Sequence, residues 1–246
     1  MHTYSAVIEY DGTCFKGFQK QPSNVRTVQQ EICRALDVLA PGFTGFSYAG
    51  RTDAGVHARN QVIGFKCKNA LDIYRFSWKF NCLLPEDISV KSVQEQSAGF
   101  DARKDAKLRR YSYYIVNSSC HSVFLKKYSI MITRKLDMQA MKKAAEKFIG
   151  IKDFSAFCND NLKTGQNIRQ VNGCRIKMHA GSLIIIDICA NAFLYNMVRI
   201  IAGTLIEIGK GQRDAESIEA AFASKDRQMA GRIAPAKGLF LSGVVY

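Results

Sequence analysis

One carboxylate stands between two glycines in Gly50-Arg51-Thr52-Asp53-Ala54-Gly55-Val56-His57-Ala58. Residues 43–49 before it read as a strand, and residues 61–67 after it resume strand-like apolar spacing. Asp53 is therefore predicted on a tight connection between two sheet elements, the kind of loop on which reacting side chains concentrate. Gly50 and Gly55 permit backbone angles closed to other residues and let a partner approach closely. Arg51, two positions from the acid, supplies a fixed positive charge. The pattern suits a carboxylate that stays ionised and touches a substrate. It also describes a plain turn in which Asp53 caps nearby amides and Arg51 makes a surface ion pair, since Gly, Asp and Thr are common turn residues.

Two further stretches carry chemistry-bearing types. In Phe100-Asp-Ala-Arg-Lys-Asp-Ala-Lys-Leu-Arg-Arg-Tyr-Ser-Tyr-Tyr114, the cations Lys104, Lys107, Arg109 and Arg110 run into Tyr111, Tyr113 and Tyr114. Cations interleaved with aromatics suit phosphates and unstacked bases; a strand with tyrosines in the core and lysines in water fits the same residues. Strand alternation places Tyr111, Tyr113 and Ile115 on one face, with Tyr111 nearest the basic cluster. Farther on, Arg199 interrupts an otherwise apolar run over residues 197–202. An arginine so placed either extends to a surface or pairs with a buried acid.

These residues need elements to hold them. Tyr4, Ala6, Ile8 and Tyr10 share one face of a first strand, and Asp11-Gly12-Thr13 turns it into a polar loop. Thr27 with Gln30 has capping-box spacing, and Val28, Ile32, Leu36 and Leu39 recur at helical intervals until Pro41-Gly42. Leu71, Tyr74 and Trp78 predict the apolar stripe of a second helix ending before Pro85, followed by a strand over 88–93. In the second half Asp137 is expected to cap a helix bearing Met138, Met141, Ala145 and Phe148. Strands over 168–178 and 183–189 precede a helix with Leu194, Met197, Val198, Ile201, Leu205 and Ile208 on its apolar face. Asp214 is expected to cap one more helix, and 239–245 closes as a strand. The second half loosely repeats the element order of the first with no low-complexity linker between them. Two halves sharing one sheet fit this better than two separate beads.

The chain has 246 residues, 47% hydrophobic, with 35 Lys and Arg against 21 Asp and Glu and a formal net charge of +14. Such an excess favours association with a polyanion, nucleic acid before an acidic membrane surface. The most apolar stretch, 183–188, is broken by Asp187 and is too short to span a bilayer. The amino terminus enters a strand pattern at once, leaving no room for a secretory leader, so a cytoplasmic protein is expected. Eight cysteines are spread widely, without the short spacing of a zinc knuckle or redox pair, and are read as reduced and structural. The four histidines, His2, His57, His121 and His179, are likewise too scattered for a metal site.

Along essentially its whole length the sequence resembles tRNA pseudouridine synthase A, the TruA family. The resemblance is carried in order by Tyr10-Asp11-Gly12-Thr13 with Gly17-Phe18-Gln19, the Asp53 loop, Asn81-Cys82-Leu83-Leu84-Pro85, residues 100–113, Asp153-Phe154, residues 191–203 and Gly238-Leu239-Phe240. It implies an α+β fold of two RRM-like (ferredoxin-like) halves, residues 1–105 carrying Asp53 and 106–246 carrying Tyr111 and Arg199. These would share a mixed, mainly antiparallel sheet with helices on one side and a central cleft. It implies a homodimer with no metal and no organic cofactor, acting on the anticodon arm of tRNA at uridines 38, 39 and 40. By the same resemblance Asp53 aligns with the catalytic aspartate, Tyr111 with the tyrosine that stacks on the target uracil, and Arg199 with the basic partner of the aspartate. Arg51 aligns with the arginine that enters the stem where the base was. The sequence departs from the family pattern at Phe18, where Trp is usual, at Cys158, where an arginine often stands, at Ile200, where Asn is common, and at Val245. A non-catalytic tRNA-binding or folding module, and a same-family synthase with a different target uridine, are the competing readings.

Overall fold

The computed structural model describes residues 1–22, 25–120, 122–159, 167–179 and 182–246. The chain forms two compact units, one of residues 1–107 with 240–246 and one of residues 108–239.

The first unit runs β1 (His2–Tyr10), α1 (Val28–Leu39), β2 (Thr44–Tyr48), β3 (His57–Cys67), α2 (Ile73–Leu83) and β4 (Ile88–Gln96). The strands lie in the order β4-β1-β3, with β2 on the far edge of β3, and every one of these pairs is antiparallel. This is the split βαβ order of a ferredoxin-like unit. Thr27 caps α1 by accepting the Gln30 N–H at 3.4 Å, as its spacing predicts, and Val28, Ile32 and Leu36 are buried.

The stripe predicted for α2 is corrected by the structure. Tyr74 and Trp78 are 85% and 66% exposed, whereas Phe76 and Phe80 are buried. Asp72 caps the helix by accepting the Arg75 N–H, and the phenylalanines dock on the far side of the helix from the tryptophan. Phe76 stacks on Phe65 of β3 at 5.8 Å and meets Phe80 edge-on at 5.5 Å. Two apolar stripes offset by two residues exist in this helix, and only the shape of the sheet beneath selects one.

The second unit runs β5 (Leu108–Asn117), β6 (Ile130–Ile132), α3 (Met138–Glu146), β7 (Gly150–Asp153), β8 (Ile168–His179), β9 (Leu183–Ala190), α4 (Met197–Gly209) and α5 (Ser217–Ser224). Its strand order is β5-β9-β8-β7, antiparallel throughout, with the short β6 added in parallel to β5. Ile184, Ile186 and Ile188 alternate inward from β9, and α4 is buried on almost every side. Segment 230–234 covers the outer side of α4: a Cβ on Gly203 would lie 1.7 Å from the Arg232 carbonyl oxygen. Asp137 caps α3 through the N–H groups of Gln139 and Ala140. Asp214 does not cap α5 with its side chain; Glu216 occupies that position, and the Asp214 carbonyl accepts the Ser217 N–H.

The closing strand β10 (Leu239–Val245) leaves the second unit after Leu239, and Phe240–Tyr246 belongs to the first. There Phe240 and Leu241 pair in parallel with His57 and Ala58 of β3, and the Tyr246 hydroxyl donates to the Ala102 carbonyl at 2.8 Å. The far edge of β3 is thus divided between β2 and β10. Pairing along both edges extends β3 back to His57, four residues earlier than its local apolar pattern indicates.

Candidate active site

In the first unit Asp53 stands, half-buried, on the connection between β2 and β3, as its flanking patterns predict. The Asp53 carbonyl accepts the Val56 N–H at 3.1 Å, closing a turn in which Gly55 has φ +77°. The preceding residue is held harder. Thr52 is buried, its carbonyl accepts the Phe18 N–H at 3.0 Å, and its hydroxyl lies 2.8 Å from the Tyr10 hydroxyl. Gln61 Nε2 donates to the Gly50 carbonyl at 2.7 Å.

Two glycines outside the loop let it pack this closely. Gly17, at φ +97°, lies against the Thr52–Ala54 backbone, and a Cβ on Gly12 would sit 2.0 Å from the Val56 carbonyl oxygen. Close backbone approach of this kind excludes any larger residue. The Gly12 N–H donates to Nδ1 of the buried His57, whose ring stacks on Phe240 at 4.6 Å. Phe18 is fully buried between Tyr10 and Tyr48, so the smaller ring fills its slot.

Arg51 is exposed, its Nε donating to the Tyr48 hydroxyl at 3.4 Å. Lys104 and Lys107 are exposed on the segment after β4. That segment is organised by Asp101, whose carboxylate accepts the N–H groups of Arg103 and Lys104. The Lys104 amide, foremost among these contacts, holds the Asp101 carboxyl below its ordinary range.

In the second unit β5 presents Tyr111, Tyr113 and Ile115 on one buried face, as alternation requires. Tyr111 pairs across the sheet with Ile188 and meets the ring of Phe193 edge-on at 5.0 Å. Tyr113 is fully buried; its hydroxyl donates to the Pro235 carbonyl at 2.8 Å, and burial pushes the phenol well above its ordinary value. Arg109 has the same parity as Tyr111. It is buried, with Nη1 donating to the Asn191 carbonyl at 2.7 Å, whereas Arg110 is exposed.

Arg199 occupies the first turn of α4, half-buried. Nε donates to the Ala234 carbonyl at 2.8 Å and Nη1 to Asn196 Oδ1 at 2.9 Å, while the Ala234 N–H returns a bond to the Arg199 carbonyl. Asn196, at φ 59°, takes the left-handed geometry that asparagine tolerates and offers its amide oxygen to Arg199 rather than to the helix N-terminus. Segment 191–199 therefore serves both residues, placing Phe193 against Tyr111 and Asn196 against Arg199. Arg199 also opposes the rise in the Tyr113 pKa through its charge.

Tyr10, Gln61, Phe193 and Asn196 were not singled out by sequence as parts of the site. Tyr10 reads as a core residue of β1, and nothing in the spacing marks the other three. Among the described residues no three His, Cys, Asp or Glu side chains are grouped to hold a metal ion, and no helix is long and apolar enough to cross a membrane. His121 lies outside the described residues. Burial pushes the Cys174 thiol up to about 12 and Cys33 up to about 11, so neither is a thiolate near neutral pH.

The sequence profile of the tRNA pseudouridine synthase family matches residues 144–246. Over the full length of both chains this protein is 40% identical to tRNA pseudouridine synthase A of Acetivibrio thermocellus and to that of Brevibacillus brevis. It is 41% identical to tRNA pseudouridine synthase A of a Geobacillus strain, with 97% of this chain and 96% of that one covered. The chain belongs to the tRNA pseudouridine synthase family, a family of isomerases.

Proposed function

We propose that this enzyme converts uridine to pseudouridine at positions 38, 39 and 40 in the anticodon arm of tRNA. Asp53 is the reacting carboxylate, Arg199 the cation that keeps it ionised, and Tyr111 the ring that holds the detached uracil. The observation that carries the reading is the treatment of Asp53: a half-buried acid on a turn whose preceding residues, Gly50 and Thr52, are held by side chains of β3 and β1.

The reaction breaks the bond from N1 to C1′, turns the uracil and joins C5 to C1′. The C5 proton is lost and N1 gains one, so there is no redox change and no net hydrolysis. A carboxylate serves as nucleophile or as counter-charge to a cationic sugar, as in glycoside hydrolysis. A guanidinium beside it favours the charged form. Extracting a stacked base costs a few kcal/mol, and stacking on an aromatic ring returns roughly 1 to 3 kcal/mol. Arg51, exposed beside Asp53, fills the gap left in the stem, and Lys104, Lys107 and Arg110 meet phosphates. Arg109, buried on a backbone carbonyl, supports this surface from within. The enzyme works as a cytoplasmic homodimer without metal or organic cofactor.

Incubating the protein with tRNA carrying tritium at uridine C5 tests the activity, since isomerisation releases that label. Mapping pseudouridine in tRNA from a strain lacking the gene tests the positions. Modification remaining at 38, 39 and 40 in that strain would overturn the assignment. Tritium release from another uridine would identify a synthase with a shifted target.

A further inference from the structure

Asp53 sits on irregular backbone, yet two buried polar side chains from neighbouring strands reach its loop and bond it on the N-terminal side of the acid. Tyr10 ends β1, is 4% exposed, and places its hydroxyl 2.8 Å from Thr52 Oγ1. Gln61 lies in β3, is fully buried, and donates to the Gly50 carbonyl at 2.7 Å. The two side chains thus bond residues 50 and 52, on either side of Arg51, from two adjacent strands.

The strand register brings these groups together. Ile8 of β1 faces Gln61, but Tyr10 faces Ala58 rather than Arg59, because the pairing shifts between Ile8 and Tyr10. One extra residue in β3 is a bulge, a device that re-aims side chains next to active sites. Tyr10, Ile8 and Gln61 share one face of the strand pair, and the bulge brings Ala58 in place of Arg59 opposite Tyr10, where β3 leaves the Asp53 loop. Ile8, Phe18 and Ala58 surround the pair with apolar burial, and a phenol or amide buried there is costly unless it is bonded. A phenylalanine and a leucine would fill this core without that cost, so the polar atoms matter for what they hold.

We propose that Tyr10 and Gln61 are positioning residues for Asp53: they fix the backbone at Gly50 and Thr52, and through it the direction of the carboxylate, without touching the substrate. The inference rests on the reading of Asp53 as the reacting acid. Misplacing a reacting group by about 1 Å costs on the order of 100-fold in rate, so a loosened loop is expected to show in the chemical step while the rest of the tRNA surface still binds.

The test is single-turnover tritium release with enzyme in excess, normalised to the folded fraction, alongside tRNA binding and thermal unfolding. Tyr10→Phe and Gln61→Met keep volume and remove the bonds. Each is expected to slow the chemical step about 10- to 100-fold while tRNA affinity stays within about threefold. Thr52→Val is expected to match Tyr10→Phe, to add nothing when combined with it, and to be slower than Thr52→Ser, which keeps the hydroxyl. A rate within twofold of the parent for Tyr10→Phe and Gln61→Met, or losses confined to melting temperature, would overturn the proposal. If Tyr10→Phe does not fold, the order of the two Thr52 variants decides alone. Asp53→Asn separates the two levels. An active Asp53→Asn sinks the catalytic reading, whereas an inactive Asp53→Asn beside fully active Tyr10 and Gln61 variants sinks only the positioning role.

Discussion

The two units hold their functional side chains by different means. Asp53 is carried by a loop, and its position depends on tethers from outside that loop: Tyr10, Gln61, the Phe18 N–H and the close approach of Gly12 and Gly17. Tyr111 and Arg199 instead project from a strand paired along its length with β9 and from the first turn of a buried helix, where ladder and helix bonds already fix the backbone. A loop can aim a group where no regular element points, at the cost of recruiting several distant residues to hold it. A strand or helix needs few helpers but restricts the direction to its own periodicity.

Substitutions on either side can break this contrast. The largest effect is expected from Asp53→Asn, which should reduce tritium release from C5-labelled tRNA to background while tRNA binding changes no more than a few fold. Retained activity would remove the carboxylate from the chemistry.

The glycines come next. Gly203→Ala drives a methyl into the Arg232 carbonyl beside α4, and overpacking of this kind costs at least about 1 to 3 kcal/mol. It should lower the stability of the protein as a whole in urea unfolding. Gly12→Ala meets the Val56 carbonyl at the loop and should lower the rate per folded molecule more than Gly203→Ala does. Equal rate losses would erase the distinction between a tethered loop and an embedded helix.

On α2, Phe80→Ala empties a fully buried site and is expected to cost about 3 to 5 kcal/mol. Tyr111→Leu removes the ring proposed to stack on uracil, worth roughly 1 to 3 kcal/mol, so it should react more slowly than Tyr111→Phe; equal rates would argue against stacking. The smallest effect is expected from Trp78→Ala, where the side chain is 66% exposed: unfolding free energy should move by no more than about 0.5 kcal/mol. Were Trp78→Ala to cost as much as Phe80→Ala, the buried face of α2 would have been misassigned.

Much of this was legible in the residues. The turn bearing Asp53 could be read because glycines and a change of apolar pattern bracket it, and the inward face of β5 because strand alternation is strict. Capping at Thr27 and Asp137 followed from spacing, since a side-chain oxygen reaches an N–H two or three residues on whatever the rest of the chain does. Arg109 shares the parity of Tyr111, so its burial was implicit in the alternation that placed the tyrosine, although its charge suggested the surface.

Local pattern decided what depends on neighbours in sequence: the order of elements, their caps, and the presentation of an acid on a turn. Only the tertiary structure decided what depends on residues far apart. It chose Phe76 and Phe80 over Tyr74 and Trp78, because either stripe satisfies helical spacing and the aromatic surface of β3 accepts one. It extended β3 to His57 through partners on both edges, and it carried Tyr10 and Gln61, from two adjacent strands, onto the same loop. Contacts between positions fifty residues apart in the chain carry no periodicity of their own, and sheet pairing is what brings them into reach.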